Sequence, residues 1–292
     1  MQLVSWNIQW GRGCDGRVDL ARVVAHARRF ADFDVLCLQE VSAGYPQLPG
    51  CDGSDQFAAL ARLLPAYQAV EAVATDTPQP DGTRRRFGNM LLSRLPLGPV
   101  FRHLLPWPAD PAVPSMQRVA LEATVHAPGG PLRVTTTHLE WYSPLQRAAQ
   151  VERLRALQQE NHAQATTTRP ASDTPGPFDP VARAGPSVLV GDFNFRPEMA
   201  EHARLQAPIG MDDTESTGDP ATPAYRDAWA LLHPGEPHPP SVGVHDKRQW
   251  PGPAFTMDFA FVSADLAPRV RDLRIDQATD ASDHQPLLLV LG

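Results

Sequence analysis

Seven short polar clusters carry the residues able to do chemistry: Ser5-Trp6-Asn7, Leu38-Gln39-Glu40, Gly88-Asn89, Thr137-His138-Leu139, Gly191-Asp192-Phe193-Asn194, Met257-Asp258-Phe259 and Ser282-Asp283-His284. Each stands where a predicted strand ends, as Glu40 does after Val35 to Leu38 and Asp192 after Val188 to Val190. Glu40 and Asp283 offer hard carboxylate oxygens and Asn7 a neutral carbonyl oxygen, a set that suits Mg2+ or Mn2+. Asp192 and Asn194 stand two apart, so an extended backbone would turn both side chains to one side and bring a carboxylate and an amide together. His138 and His284 are imidazoles that, if charged, can donate to a phosphoryl oxygen or protonate a leaving oxygen; a carboxylate partner is needed to keep them charged. Singly, each cluster has a plainer reading. A glutamate closing a strand is usually solvated, and Gly-Asp-Phe-Asn favours a turn. Their number and their shared position at strand ends favour one common site.

The elements that must position these residues alternate along the chain. β-Forming runs occur at Leu3 to Ile8, Val35 to Leu38, Asn89 to Leu92, Leu132 to Thr137 and Ser187 to Val190. Between Asp19 and Phe30, Leu20, Val23, Val24 and Ala27 recur at i, i+3, i+4 and i+7, one face of a helix lying on a sheet. A second helix is expected over Asp55 to Leu64, and a third opens at Ser143, with Pro144 at its first position, and runs to about His162. This pattern predicts a layered α/β or α+β fold. The Pro, Thr and Ala-rich stretch 163–186 has little to bury and is expected as a flexible insertion. Further loops are expected at Thr75 to Arg86, Gln206 to Pro223 and His233 to Pro253. With no repeat and no second core, residues 1–292 are expected to form a single domain.

Composition narrows the function. The formal charge of -7 over 292 residues repels a long polyanion unless basic groups gather on one face, which disfavours nucleic acid as a substrate. No apolar run approaches the roughly 20 residues that span a bilayer. Met1 to Trp10 lacks the basic start and apolar run of a secretory signal, so a cytoplasmic location is expected. Cys14, Cys37 and Cys51 form no CxxC pair and no zinc spacing, and read as free thiols.

In this order the seven clusters resemble the endonuclease/exonuclease/phosphatase superfamily, deoxyribonuclease-like Mg2+-dependent phosphoesterases that include pancreatic deoxyribonuclease, the apurinic endonuclease, bacterial sphingomyelinases and inositol-polyphosphate phosphatases. The resemblance runs from Ser5 to His284. It implies a four-layer α/β sandwich of two packed, mainly antiparallel sheets with outer helices. It also implies that Glu40 and Asp283, helped by Asn7, hold Mg2+ or Mn2+, and that Asp192 with Asn194 orients or activates water. Asp258 would pair with His284 and Glu71 with His138, the two histidines serving the phosphoryl charge or the leaving oxygen. Asn89 would face the cleft. Arg118 has a guanidinium that matches phosphate oxygens, against the plain reading of a solvated strand-end charge.

Other positions refine the resemblance. His138 argues against the apurinic endonuclease branch, and Thr137 to Ser143 with Arg147 and Gln150 is similar to bacterial members of the superfamily. Gln9 stands where apurinic endonucleases carry a metal-site aspartate. Asp227 and Trp229 read as structural, the other eight histidines as surface or loop residues, and Arg84-Arg85-Arg86 as solvated loop charges. The expected function is metal-dependent hydrolysis of a phosphodiester or phosphomonoester, the substrate ranging from nucleic acid to a small ester, with no membrane span and no protein partner implied. The alternative is a catalytically inactive binding or regulatory protein on the same fold.

Overall fold

Side chains that alternate between two apolar environments along each strand set up the layers. A computed structural model describes residues 1–168, 176–179, 181–209 and 222–292. One sheet holds β1 (Gln2–Asn7), β2 (Val35–Ala43), β3 (Gln68–Pro78), β4 (Arg84–Ser93), β11 (Val270–Ile275) and β12 (Leu287–Leu291) in the order β11-β12-β1-β2-β4-β3. The other holds β5 (Leu97–Leu104), β6 (Val119–Ala127), β7 (Gly130–His138), β8 (Ser187–Asp192), β9 (Tyr225–Asp227) and β10 (Asp258–Ser263) in the order β5-β6-β7-β8-β10-β9. Each sheet has one parallel pair, β1 with β2 and β7 with β8, and is otherwise antiparallel. The parallel pairs need crossovers, supplied by α1 (Leu20–Phe30) and α3 (Pro144–Thr166).

Leu3, Val35, Cys37 and Leu91 of the first sheet share an inner core with Val134, Val188, Val190 and Val262 of the second. Their neighbours point outwards. Val4, Leu36, Leu38 and Leu92 pack under Val23, Val24 and Ala27 of α1 and Phe57 and Leu60 of α2 (Gln56–Leu63). Leu189, Phe259 and Phe261 pack under Val151, Leu154 and Leu157 of α3 and Leu205 of α4 (Ala200–Gln206). The result is the expected four-layer sandwich. The helix starts follow from local chemistry: Asp19, Asp55 and Ser143 each accept a hydrogen bond from the backbone N–H three residues on, and Pro144 occupies the first turn of α3.

Some boundaries differ from the sequence reading. Thr75 to Arg86 is not a loop but the end of a long hairpin, in which Thr75 pairs with Phe87 and Asp76 with Arg86. Its polar alternation hides it because that part of the hairpin has a solvated face. Arg84 pairs with Asp76, and Arg86 with Asp55 and Glu71, so two of the three arginines are neutralised locally, while Arg85 lies over the Tyr45 ring. Helix α3 continues to Thr166. Of the stretch 163–186, residues 169–175 and 180 lie outside the described residues, as do 210–221 of the expected 206–223 loop. Among the described residues no helix is long and apolar enough to cross a membrane.

Candidate active site

Strand register brings the clusters to one edge of the sandwich. His138 of β7 lies directly opposite Asp192 of β8, which lies opposite Asp258 of β10, so three strands present three functional residues in a row. From the other sheet, Asn7 ends β1 opposite Gln39 of β2. Ser282 Oγ donates to the Asn7 carbonyl at 2.8 Å and Trp6 Nε1 donates to the His284 carbonyl at 2.9 Å, which fastens the segment carrying Asp283 and His284 onto β1. Gly191 is required at its place: its φ is 142°, and a Cβ there would overlap the Thr137 carbonyl oxygen of the adjacent strand.

The side chains converge on Asp192, whose Oδ2 accepts from Asn7 Nδ2 at 3.0 Å. His138 Nε2 stands 3.5 Å and His284 Nε2 3.7 Å from the same oxygen. His284 Nδ1 bonds Asp258 Oδ2 at 2.8 Å, and Ser241 Oγ donates to that oxygen at 2.7 Å. Asp283 Oδ2 accepts from Gln9 Nε2 at 2.9 Å and Trp250 Nε1 at 3.0 Å. Glu40 accepts from Asn7 Nδ2 at 3.1 Å.

Burial and the neighbouring charges set the protonation pattern. Burial first, then Asp283, pushes the Glu40 carboxyl up to about 7. Asp192 is pushed up to about 6, mainly by burial, against the pull of His284. Burial alone would lower His284, but Asp258 and Asp192 outweigh it and hold the imidazole well above its ordinary value. His138 goes the other way, lowered well below its ordinary value by burial and by the charges of Arg118 and His284. The two histidines are therefore driven apart, His284 towards the imidazolium and His138 towards the neutral form.

A cavity of about 440 Å³ opens over this cluster, with Glu40, Arg118, His138, Asp192, Asp283 and His284 in its lining. Among the described residues, the four non-glycine residues with positive φ are Gln9 (43°), Trp10 (46°), Glu40 (59°) and Asn194 (52°), and all four line it. Such conformations cost on the order of 1–3 kcal/mol each and gather at functional sites. The Glu40 strain sits where the register of β2 against β4 shifts between Leu38 and Val41.

Several expectations need correction. Asn7 turns its amide nitrogen, not its carbonyl, to the carboxylates, because its Oδ1 accepts from the Gln9 N–H at 3.0 Å. Asn194 is not related to Asp192 by strand alternation: its backbone N–H caps Asp192 Oδ1 at 3.0 Å and its amide donates to the Leu139 carbonyl at 2.8 Å. Asn89 does not line the main cavity; it is buried beside it and its amide donates to the Val119 carbonyl at 2.9 Å, tying β4 to β6. Glu71 bonds Arg86, so it is not the partner of His138. Arg118 is buried rather than solvated; Glu140 holds its Nε at 3.1 Å, while Nη1 has no protein partner. Ser241, Gln249 and Trp250, which reach the site from the 233–253 loop, were not among the sequence candidates. Their only local signal is a tryptophan and polar groups in a proline-rich stretch.

A second cluster lies away from the cavity. His202 and His238 point Nε2 at Asp227 Oδ2, at 2.8 and 2.6 Å; both are half-buried, and His238 lies in the expected loop while His202 stands on α4. Asp227 Oδ1 meanwhile caps α5 (Ala228–Leu232) through the Trp229 N–H at 2.8 Å, in keeping with the structural reading of Asp227. Burial would raise Asp227, but the bonds from both imidazoles outweigh it and hold the carboxyl at about 2.

The profile of the Endonuclease/Exonuclease/phosphatase family matches residues 4–284. No curated protein matches the chain by sequence. Solved structures share the fold. An endonuclease/exonuclease/phosphatase from Beutenbergia cavernae is 23% identical with a TM-score of 0.65, over all of this chain and 72% of that one. A mannosyl-6-phosphatase from Bacteroides thetaiotaomicron is 14% identical with a TM-score of 0.66, over 100% and 99%. A 3′ phosphatase from Neisseria, bound to a product DNA hairpin, is 19% identical with a TM-score of 0.57, over 100% and 99%.

Proposed function

Because the chain belongs to the endonuclease/exonuclease/phosphatase family, whose members hydrolyse phosphate esters, we propose that it is a divalent-metal-dependent phosphoesterase that directs water onto phosphorus. The observation that carries this reading is the placement of Asp192 Oδ2 among Asn7 Nδ2, His138 Nε2 and His284 Nε2 at the cavity. A carboxylate raised to about 6 beside a charged imidazole is a matched base and acid.

The donor set fits a hard divalent cation: Glu40 and Asp283 are oxygen donors at the cavity, and Glu40 is driven up to about 7 partly by Asp283, which leaves negative charge to be balanced. Glu40 and Asp283 would hold Mg2+ or Mn2+, and such an ion supplies charge neutralisation and polarisation of the phosphoryl group. Asn7 serves as a donor that orders Glu40 and Asp192 rather than as a ligand. Asp192, steadied by the Asn194 N–H, accepts a proton from the attacking water as its oxygen bonds to phosphorus. His284 gives its Nε2 proton to the leaving oxygen as the old P–O bond breaks, and Asp258 keeps the imidazolium in place. His138, neutral, and the free Nη1 of Arg118 donate to the non-bridging oxygens.

Hydrolysis of an aryl phosphodiester and an aryl phosphomonoester with Mg2+, Mn2+ or EDTA tests the reading. Metal-dependent turnover that Asp192→Ala and His284→Ala both abolish is the expected result. Turnover unaffected by EDTA, or retained by either variant, would overturn it. The net charge and, among the described residues, the single arginine in the cavity lining weigh against long nucleic acid.

A further inference from the structure

The walls of the cavity differ in character from its catalytic part. Six aromatic side chains line it: Trp10, Tyr45 and Phe87 from the β11-to-β3 sheet and its connections, and Trp141, Tyr142 and Trp250 from segments of the other half. Trp141 packs edge-on against Trp250, centroids 5.7 Å apart at 86°, and Tyr45 packs edge-on against Phe87 at 6.3 Å and 85°. Trp250 in turn donates its indole N–H to Asp283 at 3.0 Å, so this wall is fixed to the same carboxylate that the proposed metal would use. Trp141 follows Glu140, which holds Arg118.

Three properties of the lining select the group that sits against the walls. First, among the described residues Arg118 is its one arginine and no lysine lines it, so charge is provided for one phosphate and not for a second. Second, two pairs of polar groups on the walls are already bonded to one another: Gln9 and Gln249 exchange amide hydrogen bonds at 3.0 and 3.1 Å, and Tyr45 and Thr75 share one at 3.3 Å. Sugar hydroxyls buried there would lose water without gaining these partners. Third, about 440 Å³ holds a ring system but not a pair of acyl chains. Aromatic faces with edge-to-face neighbours take a planar ring by offset or perpendicular packing.

We propose that these walls form a subsite for a planar aromatic ring, carried on the alcohol of a substrate with a single phosphate. The proposal rests on the phosphoesterase reading and narrows it to substrate class. A phenyl-type ring and a nucleobase share this chemistry, and the test separates them.

The metal-loaded protein is assayed on benzyl phosphate, adenosine monophosphate, ethyl phosphate and glucose 6-phosphate, each also as its methyl diester. Benzyl and ethyl esters have leaving alcohols of similar acidity, so a difference between them reports binding of the ring. The expected result is a benzyl or adenosine preference over ethyl and glucose of about tenfold or more in kcat/KM, with the larger of the two naming the source. Trp141→Ala, at a residue 36% exposed, should bring the ratio towards one, and Trp141→Phe should restore most of it. Equal rates on all four alcohols, preference for the hexose, or a ratio untouched in Trp141→Ala would overturn the subsite. If no ester is hydrolysed with any metal, the phosphoesterase reading fails instead. Inhibition-free titration of intrinsic tryptophan emission with phenylphosphonate against methylphosphonate then still decides the subsite: at least tenfold tighter phenyl binding supports it, and equal binding removes it.

Discussion

Asp192–Asp258–His284 and His202–Asp227–His238 are two clusters of nearly the same ingredients, each with its donor atoms within 4.8 Å of one another. Their electrostatics are opposite. Asp227 has two imidazoles and a helix N-terminus for one carboxylate, and sits at about 2. Asp192 is raised first by its burial, shares His284 with Asp258, has Glu40 nearby, and sits at about 6. In the Asp227 cluster Gln206 Nε2 lies 3.3 Å from His202 Nδ1 and Gln206 Oε1 accepts the Asp227 N–H at 3.0 Å. It is a closed network that joins α4, β9 and the 233–253 loop. The other is left with unbalanced charge, open to a cavity. Residue type does not separate a structural bolt from a reactive centre; the ratio of carboxylates to donors does.

The largest test of that contrast removes its two ends in turn. Asp192→Asn should lower kcat by about a thousandfold or more, with little change in unfolding free energy, measured by steady-state assay and urea titration; His284→Ala should lower kcat as much but also cost stability, because it leaves the buried Asp258 carboxylate unpaired. Asp227→Asn should do the reverse, destabilising by roughly 2–4 kcal/mol through loss of a buried charge bonded to two imidazoles. A stability loss at Asp192 as large as that at Asp227 would erase the distinction.

A smaller effect follows from pH. Glu40 and Asp192 are raised in the folded state, so the folded protein holds more protons than the unfolded chain between their ordinary values near 4 and their raised values of about 7 and 6. Stability of metal-free protein should therefore fall as pH climbs through that window, by about 1–3 kcal/mol. His284, also raised, adds a loss of the same sign at higher pH. Asp227 behaves oppositely: its contribution is complete above its ordinary value of 3.8 and disappears as pH falls towards 2. Urea melts across pH with EDTA should show the neutral-side decline, and Glu40→Gln should flatten it while weakening stabilisation by added Mn2+. The smallest effect is at Ser241, which positions Asp258. Ser241→Ala should cost a few-fold in kcat, about 1 kcal/mol, and lower the apparent pKa of the acidic group in the pH–rate profile, whereas a purely structural serine would leave that profile in place.

Much of the sandwich was legible because strands with alternating apolar residues, such as Val188 to Val190, and the α1 stripe carry their own periodicity. Most of the clusters meet at one cavity, while Gly88-Asn89 lies inside β4, behind it. What stayed hidden depended on partners distant in sequence. Nothing near Asn7 reveals that Gln9 claims its carbonyl oxygen, and the left-handed turn at Asn194 breaks the alternation expected after Asp192. Trp250 and Ser241 reach the site through contacts of a loop with Asp283 and Asp258, which no local pattern encodes. The hairpin at β3 and β4 was lost because a solvated face has no apolar rhythm.

The insertion of β12 between β11 and β1, in register from Gln2 against Val290 to Ser5 against Leu287, bears on how the molecule comes into being. Ser282 meets Asn7 across 275 residues of chain, a contact of very high sequence separation that closes only after a large loss of chain freedom. A nascent polypeptide can build β1 and β2 early, yet it cannot assemble the reactive centre until β12 has left the ribosome. Before then β1 is an open edge, available to pair with another chain. Delayed or interrupted translation should therefore yield aggregates rather than partly active fragments.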